Sequence, residues 1–439
     1  MHAHPRYEAC LDAMYGLRRF GIKLELTTIK ALLEGLDNPH LRFAAVHIAG
    51  TNGKGSVAAT LSRILTVAGF RTGTYTSPHL IRFNERIAIN GAPVSDTDIV
   101  NAYDAVATRD AGDRSPTFFE LATAMACHLF AEKGVEIAVI ETGMGGRLDA
   151  TNIITPLLSI ITTLSREHTA YLGNDINSIA REKGGIIKPG IPVLTGVRQS
   201  EPLQVLSDIA RDRNAPFIRQ GSDFRIRRKT NNMFTFYGRQ CTLNDITIRL
   251  RGRHQQDNAA LALAACEILN QVGGDLFQSR PITETSMREG IRTTQWAGRL
   301  DVVSTKPYIL VDGAHNPFAA RTLSLFLKAE FPDPQKCLVI GMLDDKSFIA
   351  ILKKLVPLFD RVILTQARTD RGIPVDKLEP IARSLCHAVS TCDTVKAALD
   401  HAITHRRHPN EVICVTGSLH VVGEALEALP SLLNSGEKA

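Results

Sequence analysis

Residues 50–56 read Gly50-Thr51-Asn52-Gly53-Lys54-Gly55-Ser56. An apolar run, 43–49, precedes them, and a segment of helical periodicity, 57–68, follows. Strand, glycine-rich turn, lysine, hydroxyl residue and helix, in that order, confine this part of the chain to an α/β layer. Glycines let backbone N–H groups approach phosphate oxygens. The helix N-terminus adds partial positive charge, and a lysine and a hydroxyl complete a phosphate cradle. The spacing is not that of the ordinary P-loop, which has four residues between its first glycine and the Gly-Lys pair and Ser/Thr directly after the lysine. Here Thr51 and Asn52 separate Gly50 from Gly53, and Gly55 intervenes before Ser56. The turn therefore predicts ATP, held by a variant loop. The competing reading is a glycine turn that only caps a helix.

The rest of the chain extends the α/β pattern. Short apolar runs at 135–141, 157–163 and 192–195 suit central parallel strands covered on both faces. Helical patterns at 118–131 and 176–183 lie between them. From 224 to 250 the pattern alternates, predicting antiparallel strands at 232–237 and 246–250, followed by a helix at 257–269. A second α/β unit follows. Strand-like runs at 308–311, 336–340, 361–364 and 412–415 are separated by helical segments such as 317–328 and 375–385. The expected domains are 1–295 and 296–439, the join lying near 291–298, with polar residues 434–439 fraying at the end.

Composition narrows the function classes. At 439 residues and 44% hydrophobic the chain can build two or three cores. No apolar run is long enough to span a bilayer, and Met1-His2-Ala3-His4-Pro5-Arg6 lacks the apolar stretch of a signal peptide. The eight cysteines show no Cys-x-x-Cys spacing, as expected of a reduced, cytoplasmic protein without a zinc site. A net charge of +6 suits small anionic partners. The densest basic cluster, Arg225, Arg227, Arg228 and Lys229, reads as a solvated strand edge. No aromatic residues interleave with it as in a nucleic-acid patch. The expectation is a monomer acting on small molecules, with neither nucleic acid nor membrane as partner.

Further motifs make the loop specific. Thr76-Ser77-Pro78-His79-Leu80 follows it. Then come Glu141-Thr142-Gly143-Met144-Gly145-Gly146-Arg147-Leu148-Asp149-Ala150-Thr151-Asn152 and Arg181-Glu182-Lys183-Gly184-Gly185-Ile186. Gly252-Arg253-His254-Gln255 with Asn258, Gly298-Arg299, Asp312-Gly313-Ala314-His315-Asn316-Pro317 and Thr416-Gly417-Ser418 complete the series. In this order, over nearly the whole chain, they resemble the folylpolyglutamate synthase/dihydrofolate synthase family of the Mur ligase superfamily. The resemblance implies a P-loop-containing, Mur-ligase-like central ATPase domain and a smaller C-terminal Rossmann-like α/β domain.

It also implies roles. Thr51, Asn52, Gly53, Lys54, Gly55 and Ser56 would hold ATP, with Lys54 a point charge for its phosphates. Glu141 ends an apolar strand at the carboxyl edge, where α/β sheets place ligands, and a carboxylate there suits Mg²⁺. On its own it could equally cap a helix or pair with a base. Ser77 and His168 match the family's serine and histidine ligands, although a lone histidine after a strand is more often structural. Lys183, which would ordinarily face solvent, matches a carbamylated lysine that helps to hold a second Mg²⁺. Lys54, Lys183 and His168 are the expected catalytic residues. Asn258, Arg299 and Asp312 match positions that contact ATP. Arg299, where the chain leaves the first domain, could reach across a cleft or make an ordinary ion pair. His315 and Ser418 match positions near nucleotide or incoming glutamate. Thr117, Phe118, Phe119 and Glu120, with Leu148, Asp149 and Ala150, match segments that contact the pterin, although an aromatic pair at a helix start is commonly core.

Several positions depart from the family pattern. Glu25-Leu26 stands for Gly-Leu, after Lys23-Leu24 where dihydropteroate-binding relatives can have Asp-Leu. Arg166-Glu167 stands for Leu-Asp before His168, Gly184 for alanine and Ala297 for proline. The implied reaction is ATP-dependent addition of L-glutamate to a folate, and also to dihydropteroate. A substrate carboxylate takes the γ-phosphoryl group, and the amine of glutamate attacks the acyl phosphate while the second domain closes to exclude water. The alternatives are a folylpolyglutamate synthase without the dihydropteroate reaction, a P-loop kinase or ATPase, and a degenerate nucleotide-binding protein. A peptidoglycan Mur ligase would carry a UDP-binding domain ahead of the loop, where this sequence has 49 residues before Gly50.

Overall fold

The computed structural model describes residues 5–17, 21, 23, 25–167, 169–229, 232–332, 335–344 and 347–436. His168, Leu24, residues 1–4 of the amino-terminal segment and residues 437–439 of the expected frayed end lie outside the described residues. The chain forms two compact units. The first comprises Met1–Pro78, Phe83–Arg249 and Gln255–Gln295, and the second His79–Arg82, Leu250–His254 and Trp296–Ala439.

The first unit is built on an eight-stranded sheet. Its strands are β1 (Ala44–Ala49), β2 (Thr72–Tyr75), β3 (Ile87–Ile89), β4 (Ala92–Pro93), β5 (Ile137–Glu141), β6 (Leu158–Ile161), β7 (Val193–Thr195) and β8 (Phe217–Arg219). They lie in the order β4-β3-β2-β5-β1-β6-β7-β8. β2, β5, β1, β6, β7 and β8 are parallel, and β3 and β4 add an antiparallel edge. Every residue of β5 is buried, as a parallel strand covered on both faces requires. From β1 the chain moves outward to β2, returns through β5, then crosses to β6 on the other side. β1 is thus the switch point, and the crevice beyond its carboxyl end is where such sheets bind ligands. A second, three-stranded antiparallel sheet holds β9 (Arg225–Arg228), β10 (Met233–Tyr237) and β11 (Thr242–Thr247) in the order β11-β10-β9.

The second unit has a six-stranded sheet of β12 (Asp301–Thr305), β13 (Tyr308–Val311), β14 (Lys336–Ile340), β15 (Arg361–Leu364), β16 (Val389–Thr391) and β17 (Val412–Thr416). The order is β12-β13-β17-β14-β15-β16, parallel except for β12. The period of two along each strand divides its side chains between two cores. Leu310, Leu338, Ile340, Val362, Leu364 and Cys414 enter one, and Ile309, Val311, Cys337, Val339, Ile363 and Ile413 the other. β17, last in sequence, inserts between β13 and β14, so the segments after β13 and β17 emerge side by side.

Some local readings shift. The strand expected at 246–250 lies at Thr242–Thr247. The helix after the glycine loop begins at Lys54, three residues earlier than its apolar periodicity suggested, because Gly55 and Ser56 carry no periodic signal. The helix expected at 257–269 spans Arg253–Val272. The last helix, Leu419–Gly436, continues into the segment expected to fray. No helix among the described residues is long and apolar enough to cross a membrane.

Leu338 is fully buried in the middle of its sheet. Leu338→Ala should destabilise the second unit by about 2–5 kcal/mol, read as a lower denaturant midpoint with an unchanged slope. A loss within the noise of a surface substitution would contradict this packing.

Candidate active site

The helix Lys54–Val67 starts immediately beyond β1, with Gly53 as its N-cap at φ 90°. Only glycine fits here. The conformation is left-handed, and a Cβ would lie 2.5 Å from Asn258 Oδ1. Asn258 is itself oriented by donating from Nδ2 to Gln255 Oε1 at 2.9 Å. Val57 N donates to Gly53 O at 2.9 Å. The first-turn N–H groups of Lys54, Gly55 and Ser56 therefore precede the intrahelical ladder and are available to an anion. Ser56 is buried within that turn.

The loop is moored to the segment after β6. Thr51 N donates to Thr163 O at 2.7 Å. Thr162 and Thr163 donate their hydroxyls to Asn52 O at 2.7 and 3.0 Å. Thr51 Oγ1 donates to Ser165 O and accepts from Ser165 N, both at 3.1 Å. The sequence reading assigned no role to Thr162, Thr163 or Ser165. Their only signal is a run of small hydroxyl residues at the carboxyl end of a strand.

Three candidate residues meet at Gly50. Lys54 Nζ donates to Gly50 O at 3.1 Å and lies 3.7 Å from Glu141 Oε1. Lys183 Nζ donates to the same carbonyl at 2.8 Å. Glu141, at the end of β5, is buried and accepts from Ser77 N at 3.3 Å through its other oxygen. Lys183 is only 3% exposed. Burial, and next the nearby Lys54 charge, bring its pKa down to about 7. Its helix, Ile176–Gly184, is fixed from below by the motif after β5. Arg147 N donates to Glu182 O at 2.7 Å, and Asn152 Nδ2 to Gly185 O at 3.3 Å.

The segments expected near the pterin are reinforced by polar anchors. Thr117 and Glu120 form a capping box on the helix Phe118–Glu132. Arg114 pairs with Glu120 at 2.7 Å and also with Glu25. Glu25, which departs from the family pattern, thus closes an ion ladder onto the start of this helix. Phe118 turns into the core, stacking on Tyr15 with centroids 5.6 Å apart. Phe119 instead covers Gly143, where a Cβ would lie 2.5 Å from its Cζ. Leu148 is half-buried, and Ala150 is buried. Asp149 is buried and ties its own loop together, accepting from Met144 N at 2.8 Å and Thr151 N at 3.0 Å. Burial pushes its carboxyl pKa up despite these bonds. Thr151 in turn meets His47 Nε2 at 2.8 Å, and burial drives His47 down to about 3, so it is neutral.

In the second unit, Asp312 follows β13 and Ser418 follows β17. Asp312 accepts from Leu300 N at 2.9 Å and Ala314 N at 3.0 Å. Burial raises its pKa and the Arg299 charge opposes that rise. Arg299 lies over Gly313, where a Cβ would be 2.2 Å from its Nη1. His315 Nδ1 is 2.7 Å from Gly313 O. Ser418 Oγ accepts from Val421 N at 3.1 Å, so its hydroxyl caps the last helix. Thus Thr51 to Ser56, Ser77, Glu141, Lys183 and Asn258 gather in the first unit, and Arg299, Asp312, His315 and Ser418 in the second.

The chain matches the Mur ligase middle domain over residues 48–266 and the glutamate ligase domain of Mur ligases over residues 298–419. It is 34% identical to the dihydrofolate synthase/folylpolyglutamate synthase of Bacillus subtilis, across 96% of this chain and 99% of that protein. The chain belongs to the dihydrofolate synthase/folylpolyglutamate synthase family of Mur ligases. E. coli FolC in complex with DHPP and ADP superposes with a TM-score of 0.86 at 29% identity, over 96% of this chain and 98% of that one. The bifunctional folylpolyglutamate synthase/dihydrofolate synthase of Yersinia pestis, complexed with AMPPNP and Mn ion, gives 0.85 at 30% identity, over 97% and 98%. Within the family fold, the glycine loop, Glu141 and Lys183 occupy the switch point of the first sheet.

Gly53→Ala forces a Cβ both into left-handed backbone and onto Asn258. It should cost about 1–2 kcal/mol of stability, and the rise in melting temperature expected when ADP is added to the wild-type protein should be absent from the variant. Retention of that ADP-induced shift would contradict the loop geometry.

Proposed function

We propose that this chain joins L-glutamate to folate and dihydropteroate acceptors at the cost of ATP. The observation that carries the reading is the convergence of Lys54 and Lys183 on Gly50 O, with Glu141 beside Lys54 at the mouth of the glycine loop. A structural ion pair would not need a glycine loop, a helix start and two buried lysines at one switch point.

The acceptor's carboxylate oxygen attacks the γ-phosphorus of ATP, forming an acyl phosphate as the bond to ADP breaks. The glutamate amine then attacks the acyl carbon; phosphate leaves, and the amine proton passes to solvent or phosphate. The helix N–H groups and Lys54 hold the phosphates and meet the charge that develops on them. Burial of Glu141 and Lys183 keeps the reacting region poor in water, which protects an acyl phosphate from hydrolysis. Phe119 over Gly143 offers an aromatic face to a pterin ring.

The donor set fits a divalent cation. Glu141 supplies a buried carboxylate, and Ser77, whose backbone N donates to it, would supply a hydroxyl, while Mg²⁺ commonly takes only one or two carboxylates and completes its shell with water and phosphate oxygens. When bound, the cation would neutralise phosphate charge. Lys183 has the properties of an amine that takes up CO₂, being buried and substantially neutral near pH 7. Its carbamate would supply oxygen donors for a second ion. We also read the protein as a cytoplasmic monomer; its eight cysteines are all free thiols.

Two measurements test this reading. ADP release should require both glutamate and an acceptor, and mass spectrometry should find one added glutamate on tetrahydrofolate and on dihydropteroate assayed side by side. Addition to tetrahydrofolate alone would leave a folylpolyglutamate synthase, and release independent of both would overturn the ligase. Lys54→Ala should lower kcat by roughly 10²–10³.

Carbamylation carries its own pH dependence. A pKa of about 7 leaves Lys183 mostly protonated, hence inert to CO₂, at pH 6 and mostly neutral at pH 8. At fixed dissolved CO₂, carbon-13 labelling should be about tenfold faster at pH 8 than at pH 6 and absent from Lys183→Arg. A carbamate signal that persists in that variant would assign the modification elsewhere.

A further inference from the structure

A cavity of about 480 Å³ opens at the carboxyl ends of β7 and β8, and four arginines line it: Arg198, Arg219, Arg225 and Arg228. Arg198 lies just past β7 and Arg219 ends β8, while Arg225 and Arg228 come from β9 of the other sheet. Two sheets therefore send guanidinium groups into one space. Among the described residues, no carboxylate lines it.

One acid, Asp257, stands behind the cluster. Its Oδ1 accepts from Arg198 Nη2 at 2.8 Å and Gln220 Nε2 at 2.9 Å, and its Oδ2 from Arg228 Nη2 at 2.6 Å. Arg219 has no such partner. It donates from Nη2 to the neutral Ser222 Oγ at 3.2 Å, and only its backbone N meets Asp223 Oδ2, at 2.8 Å. Arg225 lies over the Tyr237 ring with Cζ 4.9 Å from the centroid. The cavity thus holds two guanidinium groups that share one carboxylate and two, Arg219 and Arg225, that pair with no carboxylate among the described residues. The first turn of the helix Ser200–Asp212 lines the same space through Leu203 and adds partial positive charge.

Charged edge strands often serve only to prevent sheet-to-sheet pairing. That accounts for Arg227, which is exposed and does not line the cavity. Arg219 also ends an edge strand, β8, and Arg198 lies in the loop past β7, but edge protection does not account for four guanidinium groups from the two sheets and that loop lining one space. Like charges brought into one concavity repel unless an anion joins them, and the planar guanidinium fork matches phosphate and carboxylate oxygens.

We propose that this cavity binds a small oxyanion carrying two or more negative charges, of the oligophosphate or oligocarboxylate class. The anion bonds to Arg219 and Arg225 and draws Arg198 and Arg228 part-way from Asp257. Asp257 directly precedes Asn258, whose side chain seats against Gly53, so one helix turn carries both the acid behind the arginines and the residue against the glycine loop. No residue assigned to the ligation forms the site, and its failure would leave the ligase reading untouched.

The test is calorimetric titration of the full chain with sodium pyrophosphate and, separately, sodium citrate, without divalent cations. Affinity should fall by about tenfold or more in Arg219→Gln/Arg225→Gln, the loss of two charge-assisted contacts. The binding event that this double variant removes should stay within about threefold of wild type in Lys54→Gln, because any binding of pyrophosphate at the phosphate loop is a separate event. Asp257→Asn frees Arg198 and Arg228 and should tighten binding, which decides the matter even where the double variant fails to fold. The tighter of the two probes identifies the class. No binding of either probe, unchanged affinity in the double variant, loss in Lys54→Gln, or no tightening in Asp257→Asn would each overturn the site.

Discussion

The backbone carbonyl of Gly50 accepts from two lysine side-chain nitrogens at once, Lys54 at 3.1 Å and Lys183 at 2.8 Å. Two cations on one neutral acceptor in a buried setting would be costly, and burial with the Lys54 charge accordingly brings the Lys183 pKa down to about 7. Glu141 supplies a negative charge at 3.7 Å from Lys54. The arrangement therefore favours further anions, whether nucleotide phosphates at the helix start or a carbamate formed from the Lys183 amine itself.

Everything around this point serves to hold it. β1 lies between β5 and β6, so one loop reaches the carboxylate at the end of one neighbour and the hydroxyl residues at the end of the other. Thr162, Thr163 and Ser165 fasten the loop backbone, and Arg147 fastens the helix of Lys183. The second sheet repeats the device on a smaller scale, with β17 inserted between β13 and β14 so that Asp312 and Ser418 emerge from adjacent strands.

The parallel strands were legible because burial on both faces leaves uninterrupted apolar runs, as in 137–141 and 412–416. Helix starts were less legible. Lys54-Gly55-Ser56 carries no apolar period, because none of the three has an apolar side chain, although the helix already begins at Lys54. β11 was placed too late because its alternation is weak, with Leu243 and Ile246 the buried residues between exposed neighbours. Among the site residues, Lys54 and Glu141 announced themselves by position after a strand or in a glycine turn. Lys183 did not, since a lysine after Arg-Glu on a helix ordinarily faces water, and here the fold sets its amine against Gly50 O while 146–152 and the helix 200–212 pack on its helix. The cavity arginines of β9 are visible as a basic run, but Arg219 lies before that run at the end of another strand and Arg198 is farther still, and both join it only through the fold.

The central claim is that the glycine loop activates an acceptor carboxylate by phosphorylation. Carboxylate oxygen-18 in the folate acceptor tests it most directly, with the label followed into the phosphate released during glutamate addition. An acyl phosphate transfers one labelled oxygen to each phosphate formed. Phosphate free of label, with amide bond formation intact, would contradict the account.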